Sequence, residues 1–359
     1  MPKTSRDPWL DNAKIWLVVV VVVGHMIVLM PPGDLTSRAY DFVYYFHIPA
    51  FVVITGYLSR TFRWTRRHLT SLLTMLVLPY IVFEMLMALW RVYVVGEVSD
   101  FSALWPLWVN PHWPMWYLAV LVMWRLATPI LVRHWVAVPV SVVVSLVAGR
   151  WNIELFDINR ALGLLPFFVL GLHLTPRMLG VVKARWSGLV GLAIFAGLWW
   201  LAGTTDEHWS TQWLYYRSPY DDLGVSFGEG VEIRAQLLAV GLAGSFAALS
   251  LLPTKENRFS VMGAWTMVVY LIHGFVVRGL EAWGYAEWMP DDEVAILAIT
   301  VATGVALGLL LGWPPVAKRL FWLVDPVGAL TRRRRERSGP TTPAAPPAGA
   351  DPTPSPPRG

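Results

Sequence analysis

The chain has 359 residues, 55% of them apolar and only 15% charged, against roughly 25% charged in an average soluble domain. Its mean hydropathy of +0.50 says that water is not its main solvent, and the absence of cysteine excludes disulfides, Cys-ligated zinc, iron–sulfur clusters and thiol nucleophiles. The net charge of +5 comes from basic residues between apolar runs and at the C-terminus, so membrane orientation accounts for it and nucleic acid is not an expected partner.

Residues 1–12 are expected to form a cytoplasmic N-terminal segment. The first apolar run, 13–32, lacks the small-residue cleavage pattern of a removable signal and is expected to be a retained helix; it holds Lys14 and His25. Further apolar runs follow at 41–59, 69–95, 114–133, 135–150, 160–177, 186–203, 232–253, 261–284 and 293–314. A helix of about 20 such residues spans a hydrocarbon core of about 30 Å. The predicted fold is therefore all-α, a polytopic membrane bundle of about ten transmembrane helices over residues 13–314. The 21 Trp fit it, since indoles collect at the headgroup level.

Ten crossings put both termini on one side, and Lys and Arg choose the side. Lys3, Arg6, Arg60, Arg63, Arg66, Arg67, Arg133, Arg177, Lys183, Arg185, Lys255, Arg258, Lys318 and Arg319 all fall on the N-terminal face, while the opposite loops carry mostly acids, among them Asp100, Glu154, Asp157, Asp206, Asp221, Asp222, Asp291 and Asp292. Cytoplasmic N- and C-termini are predicted. The longest external loop, 204–231, is rich in aromatics such as Trp213, Tyr215 and Tyr216; these either stack on sugar rings or form an interfacial belt, the commoner arrangement. Residues 315–337 form a basic cytoplasmic segment, its Arg332–Arg335 run attracted to anionic membrane lipid. The Pro-rich tail 338–359 cannot bury enough apolar surface to fold and is expected to be disordered.

Ionisable groups inside a membrane helix cost a few kcal/mol to insert and so mark candidate sites. His25 lies eleven residues after Lys14, about 16 Å deeper at 1.5 Å per residue, close to mid-membrane. His273, about twelve residues into the ninth predicted helix, shares that depth. His47 sits in the second helix and His112 at the outer mouth of the fourth. An imidazole titrates near neutrality and accepts a hydroxyl proton in group transfer. A single such histidine more often bonds a neighbouring helix, but several on separate helices point to a shared polar cavity. No i, i+4 histidine pair or carboxylate set accompanies them, so no metal site is expected. Glu84 and Glu281 are the candidate acids, Glu84 either orienting a histidine or pairing with Arg91; Arg125 and Arg278 either serve a site or snorkel. No P-loop, dinucleotide fingerprint, GxSxG elbow or HExxH motif occurs. A nucleotide-containing donor would have to use helix ends and the arginine cluster 60–67.

Asp11-Asn12-Ala13-Lys14 with Gly24-His25, Phe46-His47-Ile48-Pro49-Ala50-Phe51 with Thr55-Gly56-Tyr57, Pro79-Tyr80, Pro111-His112-Trp113 through Trp116-Tyr117-Leu118, Asn159-Arg160-Ala161 with Leu165-Pro166-Phe167-Phe168 and Gly171, and Tyr270-Leu271-Ile272-His273 follow one another along the chain. Together they resemble the membrane acyltransferase-3 family, in its fucose 4-O-acetylase-like branch. The resemblance covers about residues 9–313, in the expected order.

The resemblance implies a ten-helix enzyme that moves an acyl group, acetyl first among them, from a cytoplasmic acyl-CoA to a hydroxyl of a sugar, cell-envelope glycan or small molecule at the cell membrane. Acyl-CoA is then a substrate and no tightly bound cofactor is expected. His25 would be the general base, with His273 and Glu84 also catalytic. Lys14, in place of the commoner arginine, would hold the donor with Arg63 and Arg66, and His47, His112, Trp113, Trp116 and Arg160 would bind substrate. Two alternatives remain: succinyl or another acyl transfer to a secondary metabolite, and a secondary transporter or flippase of a lipid-linked sugar whose histidines relay protons. The absence of two similar halves speaks against the transporter.

Overall fold

The computed structural model describes residues 7–153 and 155–325; Lys3, Arg6, Glu154, the Arg332–Arg335 run and the tail 338–359 lie outside the described residues. Among these the chain is helical, with no strand. Twelve helices carry the argument: α1 (Pro8–Ile27), α2 (Asp34–Ser59), α3 (Arg66–Val95), α4 (Trp116–Leu131), α5 (Ala137–Ala148), α6 (Ile158–Gly163), α7 (Leu165–His173), α8 (Arg185–Ala202), α9 (Phe227–Ser250), α10 (Thr266–Ala282), α11 (Glu293–Gly312) and α12 (Pro314–Val324).

Each predicted apolar run is helical, yet among the described residues only six helices, α1, α2, α3, α8, α9 and α11, are individually long and apolar enough to cross a membrane. α4 and α5 are apolar but shorter, and α10 has 17 residues. The run predicted at 160–177 is broken into α6 and α7, bent by 61°, because Pro166 follows Gly163 and removes an N–H that a continuous helix needs.

α1 begins five residues before the predicted start. Asp7 caps it, its carboxylate accepting the Trp9 N–H at 3.0 Å, and Pro8 occupies the first turn, where a missing N–H costs nothing. Residues 8–12 are thus helical and part of the bundle. Asn12 is fully buried and clamps the turn between α9 and α10: its Nδ2 donates to the carbonyls of Pro253 (2.7 Å) and Lys255 (3.0 Å), and its Oδ1 accepts from Ser260 Oγ (2.7 Å) and Asn257 Nδ2 (3.3 Å).

α1 packs against α2, α10 and α11. On α11, Gly304, Gly308 and Gly312 recur every fourth residue and face Val23, Val19 and Ile15 in antiparallel order; a Cβ built on each would meet the partner at 3.0–3.1 Å. Small residues at this spacing let membrane helices approach closely and gain dispersion contacts. Gly56 and Gly171 do the same for α2 and α7, where a Cβ on either would strike the other helix's backbone. With α1 and α2 packed side by side at Gly24, the C-terminal end of α1 and the first half of α2 form one wall of a cavity.

Candidate active site

The cavity has a volume of about 400 Å³ and lies at the end of the bundle remote from Pro8. His25 and His47 form its α1–α2 wall; Trp113 and Trp116 come from the segment entering α4, Arg160 from α6, and Tyr215 and Arg217 from the 204–226 loop. That loop is not an interfacial belt. Trp213, Tyr216 and Tyr220 are buried in the core, while the Tyr215 hydroxyl bonds that of Tyr40 at 2.6 Å.

His25 occupies the last turn of α1, not the middle of the helix that the run 13–32 predicts, because the helix starts and ends earlier. His273 stands behind it on α10: His25 Nδ1 and His273 Nε2 are 2.9 Å apart, with both side chains buried. Hydrogen-bond logic fixes the tautomers. His273 Nδ1 lies 3.0 Å from the Val269 carbonyl, which can only accept, so that nitrogen carries hydrogen. In the neutral ring His273 Nε2 is then an acceptor, His25 Nδ1 donates to it, and His25 Nε2 keeps its lone pair. A nitrogen with a lone pair on a cavity wall is what a general base requires.

Trp113 sets its ring edgewise on His25 at 4.4 Å. Tyr270 donates to the Pro114 carbonyl at 2.5 Å, and Gly274 lies so close to Pro114 that a Cβ there would sit 2.8 Å from its ring. α10 therefore carries His273 and seats Trp113 at once. Arg160 is stacked 4.3 Å above Trp116, paired with Asp157 at 3.1 Å and bonded to the Tyr215 carbonyl at 3.1 Å.

Of the residues singled out in the sequence, His25, His47, Trp113, Trp116, Arg160, Arg278 and Glu281 line this cavity and His273 backs it. Others stand elsewhere. Glu84 is fully buried on α3, where Oε1 accepts the His112 backbone N–H at 2.8 Å; it braces the loop leading to Trp113 rather than facing the cavity. The His112 ring lies beside Arg91, Arg278 and Glu97, and burial, reinforced by the two guanidinium groups, lowers its pKa to about 3. Lys14 pairs with Asp11 at 2.6 Å near the opposite end of α1. Arg63 and Arg66 are exposed where α2 passes into α3.

Sequence reasoning did not single out Tyr40 and Tyr44, which line the cavity and stack on each other at 3.9 Å. Their signal is the spacing Tyr40, Tyr44, His47, an i, i+4, i+7 series that marks one face of a helix. Arg278 and Glu281 pair with each other at 2.5 Å on the same lining. Among the described residues, no group of three or more His, Asp or Glu is placed to hold a metal.

No curated protein and no solved structure matches the chain. A family model does: the acyltransferase domain of the acyltransferase-3 family matches residues 7–313, which includes every residue of the cavity. Helices long and apolar enough to cross a membrane and a family match over most of its length make this chain a member of the acyltransferase-3 family, a membrane acyltransferase.

Proposed function

We propose that the protein is an O-acyltransferase of the fucose 4-O-acetylase-like branch, moving an acetyl or other acyl group from cytoplasmic acyl-CoA to a hydroxyl of a sugar, cell-envelope glycan or small molecule. The observation that carries this reading is the lone pair on His25 Nε2, fixed by the series Val269 carbonyl, His273, His25 and directed to a cavity of a size suited to one acceptor unit. The acceptor hydroxyl gives its proton to Nε2 as its oxygen bonds to the acyl carbon; the carbon–sulfur bond breaks, and the proton passes to the departing thiolate. His273 keeps the tautomer and takes up part of the positive charge on His25. General-base catalysis of this kind contributes about 10²–10⁴-fold, with positioning supplying much of the rest.

In this reading the ten apolar runs cross the cell membrane ten times, with both termini cytoplasmic as the Lys/Arg distribution supports. The donor approaches from the N-terminal face. Lys14, with the Arg63/Arg66 region, neutralises its phosphates, and the flexible pantetheine arm covers the distance of about 16 Å that eleven helical residues impose. Trp113, Trp116 and Arg160 hold the acceptor, and Glu84 and His112 keep the loop beneath Trp113 in place. The test is transfer from radiolabelled acetyl-CoA in membranes containing the protein. Product formation that drops at least 100-fold in His25→Ala is expected; full activity in that variant would overturn the assignment.

A further inference from the structure

His47 has a second lone pair that the reaction above does not use. Its Nδ1 lies 2.8 Å from the Val43 carbonyl, so Nδ1 carries hydrogen and, in the neutral ring, Nε2 is an acceptor. That Nε2 is buried and has no hydrogen-bond partner, although the residue is 0% exposed and lines the cavity. Buried polar atoms are nearly always paired, so an orphan on a cavity wall points to a ligand. The ring is not free to turn away. Tyr44 packs against it edgewise at 4.5 Å, and Nε2 faces α1 at Gly24, where a Cβ would lie 3.9 Å from it. Gly24 immediately precedes His25.

His25 and His47, on adjacent helices, therefore line one cavity, each with an imidazole nitrogen that keeps its lone pair. Among the described residues no third ligand completes a metal group there. What two neighbouring acceptors recognise is two neighbouring donors. We propose, on the basis of the acyl-transfer reading, that the cavity selects an acceptor with two adjacent hydroxyls: one gives its hydrogen bond to His25 Nε2 and is acylated, the other gives its hydrogen bond to His47 Nε2 and stays free. His47 is thus a specificity-determining and positioning residue. The acceptor class is a polyol with a vicinal or 1,3-diol, and its monoacyl ester is the product. A monohydric alcohol fits the volume but leaves His47 Nε2 desolvated and unpaired, which sets it at a disadvantage of about 10- to 100-fold in kcat/KM.

The experiment uses full-length protein in membranes, radiolabelled acetyl-CoA, and a panel of methyl glycosides, cyclic cis-diols and the matching monodeoxy or monohydric analogues, with products located by mass spectrometry and NMR. The readout is the ratio of kcat/KM for each diol to that for its partner lacking one hydroxyl, taken within one sample and so independent of how much protein folds. A ratio of about 10 to 100 in the wild type, falling to near 1 in His47→Phe, is expected; the phenyl ring keeps the packing against Tyr44 but has no acceptor. His47→Leu, which likewise has no acceptor, serves as the second variant should His47→Phe fail to accumulate. A wild-type ratio near 1, or a high ratio that persists in the His47 variant, overturns this proposal while leaving acyl transfer standing. Absence of transfer to every acceptor overturns the acyl-transfer reading and this proposal with it.

Discussion

His273 reaches His25 through one nitrogen-to-nitrogen hydrogen bond of 2.9 Å, and its own proton is held by the Val269 carbonyl one helical turn back on α10. The arrangement orients a base without placing a second charge in the bundle. Replacing His273 with Ala leaves His25 free to carry its proton on Nε2, the nitrogen that faces the cavity. The expected result is a fall in kcat of about 10²-fold, on the scale of lost general-base catalysis, with KM for the acceptor changed less than threefold. Steady-state kinetics in membranes separate the two. His273→Gln, which retains an acceptor, is expected to recover part of the loss.

Asn12 joins the start of the chain to the turn before α10 through four hydrogen bonds. Asn12→Ala takes the donor from the Pro253 and Lys255 carbonyls and the acceptor from the buried Ser260 hydroxyl. At about 1–3 kcal/mol for each buried group left unpaired, the variant is expected to lower Tm by several degrees in detergent-solubilised protein and to reduce yield. The activity of the fraction that folds should change far less than in the His25 variant, because Asn12 lies at the opposite end of α1.

The α1–α11 seam makes a steric prediction. Gly308→Leu forces a branched side chain against Val19, where even a Cβ would sit at 3.0 Å. Overpacking of this kind costs about 1–3 kcal/mol and shifts backbones. Because α1 also carries His25, both thermal stability and kcat should fall. Gly180→Leu, at a position where a Cβ meets nothing within 4 Å, is the control and should change neither.

The loop outside α3 and α10 predicts a response to acid. The His112 pKa is lowered to about 3, chiefly by burial and then by Arg91 and Arg278. Protonation is thus easier in the unfolded chain, where the value is about 6.5, and stability is lost as pH falls from about 6.5 towards 3. Glu97 is held below the ordinary carboxylate range, first by its hydrogen bond from Arg91 and also by Arg278; its contribution is present above the unfolded value of about 4.3 and disappears as pH falls through the depressed folded one. Tm measured from pH 7 to 4 should decline in the wild type and decline less in His112→Gln. A parallel decline in both would show that His112 does not govern it.

Lys14 tests the donor side. If it neutralises donor phosphate, Lys14→Ala raises KM for acetyl-CoA about tenfold with kcat nearly unchanged, the signature of lost uniform binding, and Lys14→Arg restores it, since guanidinium also binds phosphate. An unaltered KM in Lys14→Ala would confine Lys14 to its pair with Asp11 at 2.6 Å.

Much of this was legible in the sequence because apolar periodicity and intramembrane histidines carry strong signals. Every apolar run became helix, and His25, His47, Trp113, Trp116 and Arg160 converge on one cavity as motifs in separate runs suggested. What the sequence hid has physical reasons. The start of α1 was misplaced because Asp11 and Asn12 look like solvent-facing residues, whereas both are buried against protein. That shift of five residues moved His25 from mid-helix to the last turn. The bend between α6 and α7 replaced one expected helix because Pro166 weighs more than continuous hydropathy. Tyr215 and Arg217 lie in a segment without periodicity, so only the folded chain shows that they roof the cavity.

The partners of α1 also set an order of events in biogenesis. His25 and Asn12 leave the ribosome early, yet His273 and Ser260 each lie 248 residues further along. This helix is therefore made well before the residues that engage its imidazole and amide, with 248 residues of synthesis separating each pair. Chain closure, start against end, completes the reactive centre, so a prematurely terminated product carries the base but no means of aiming it.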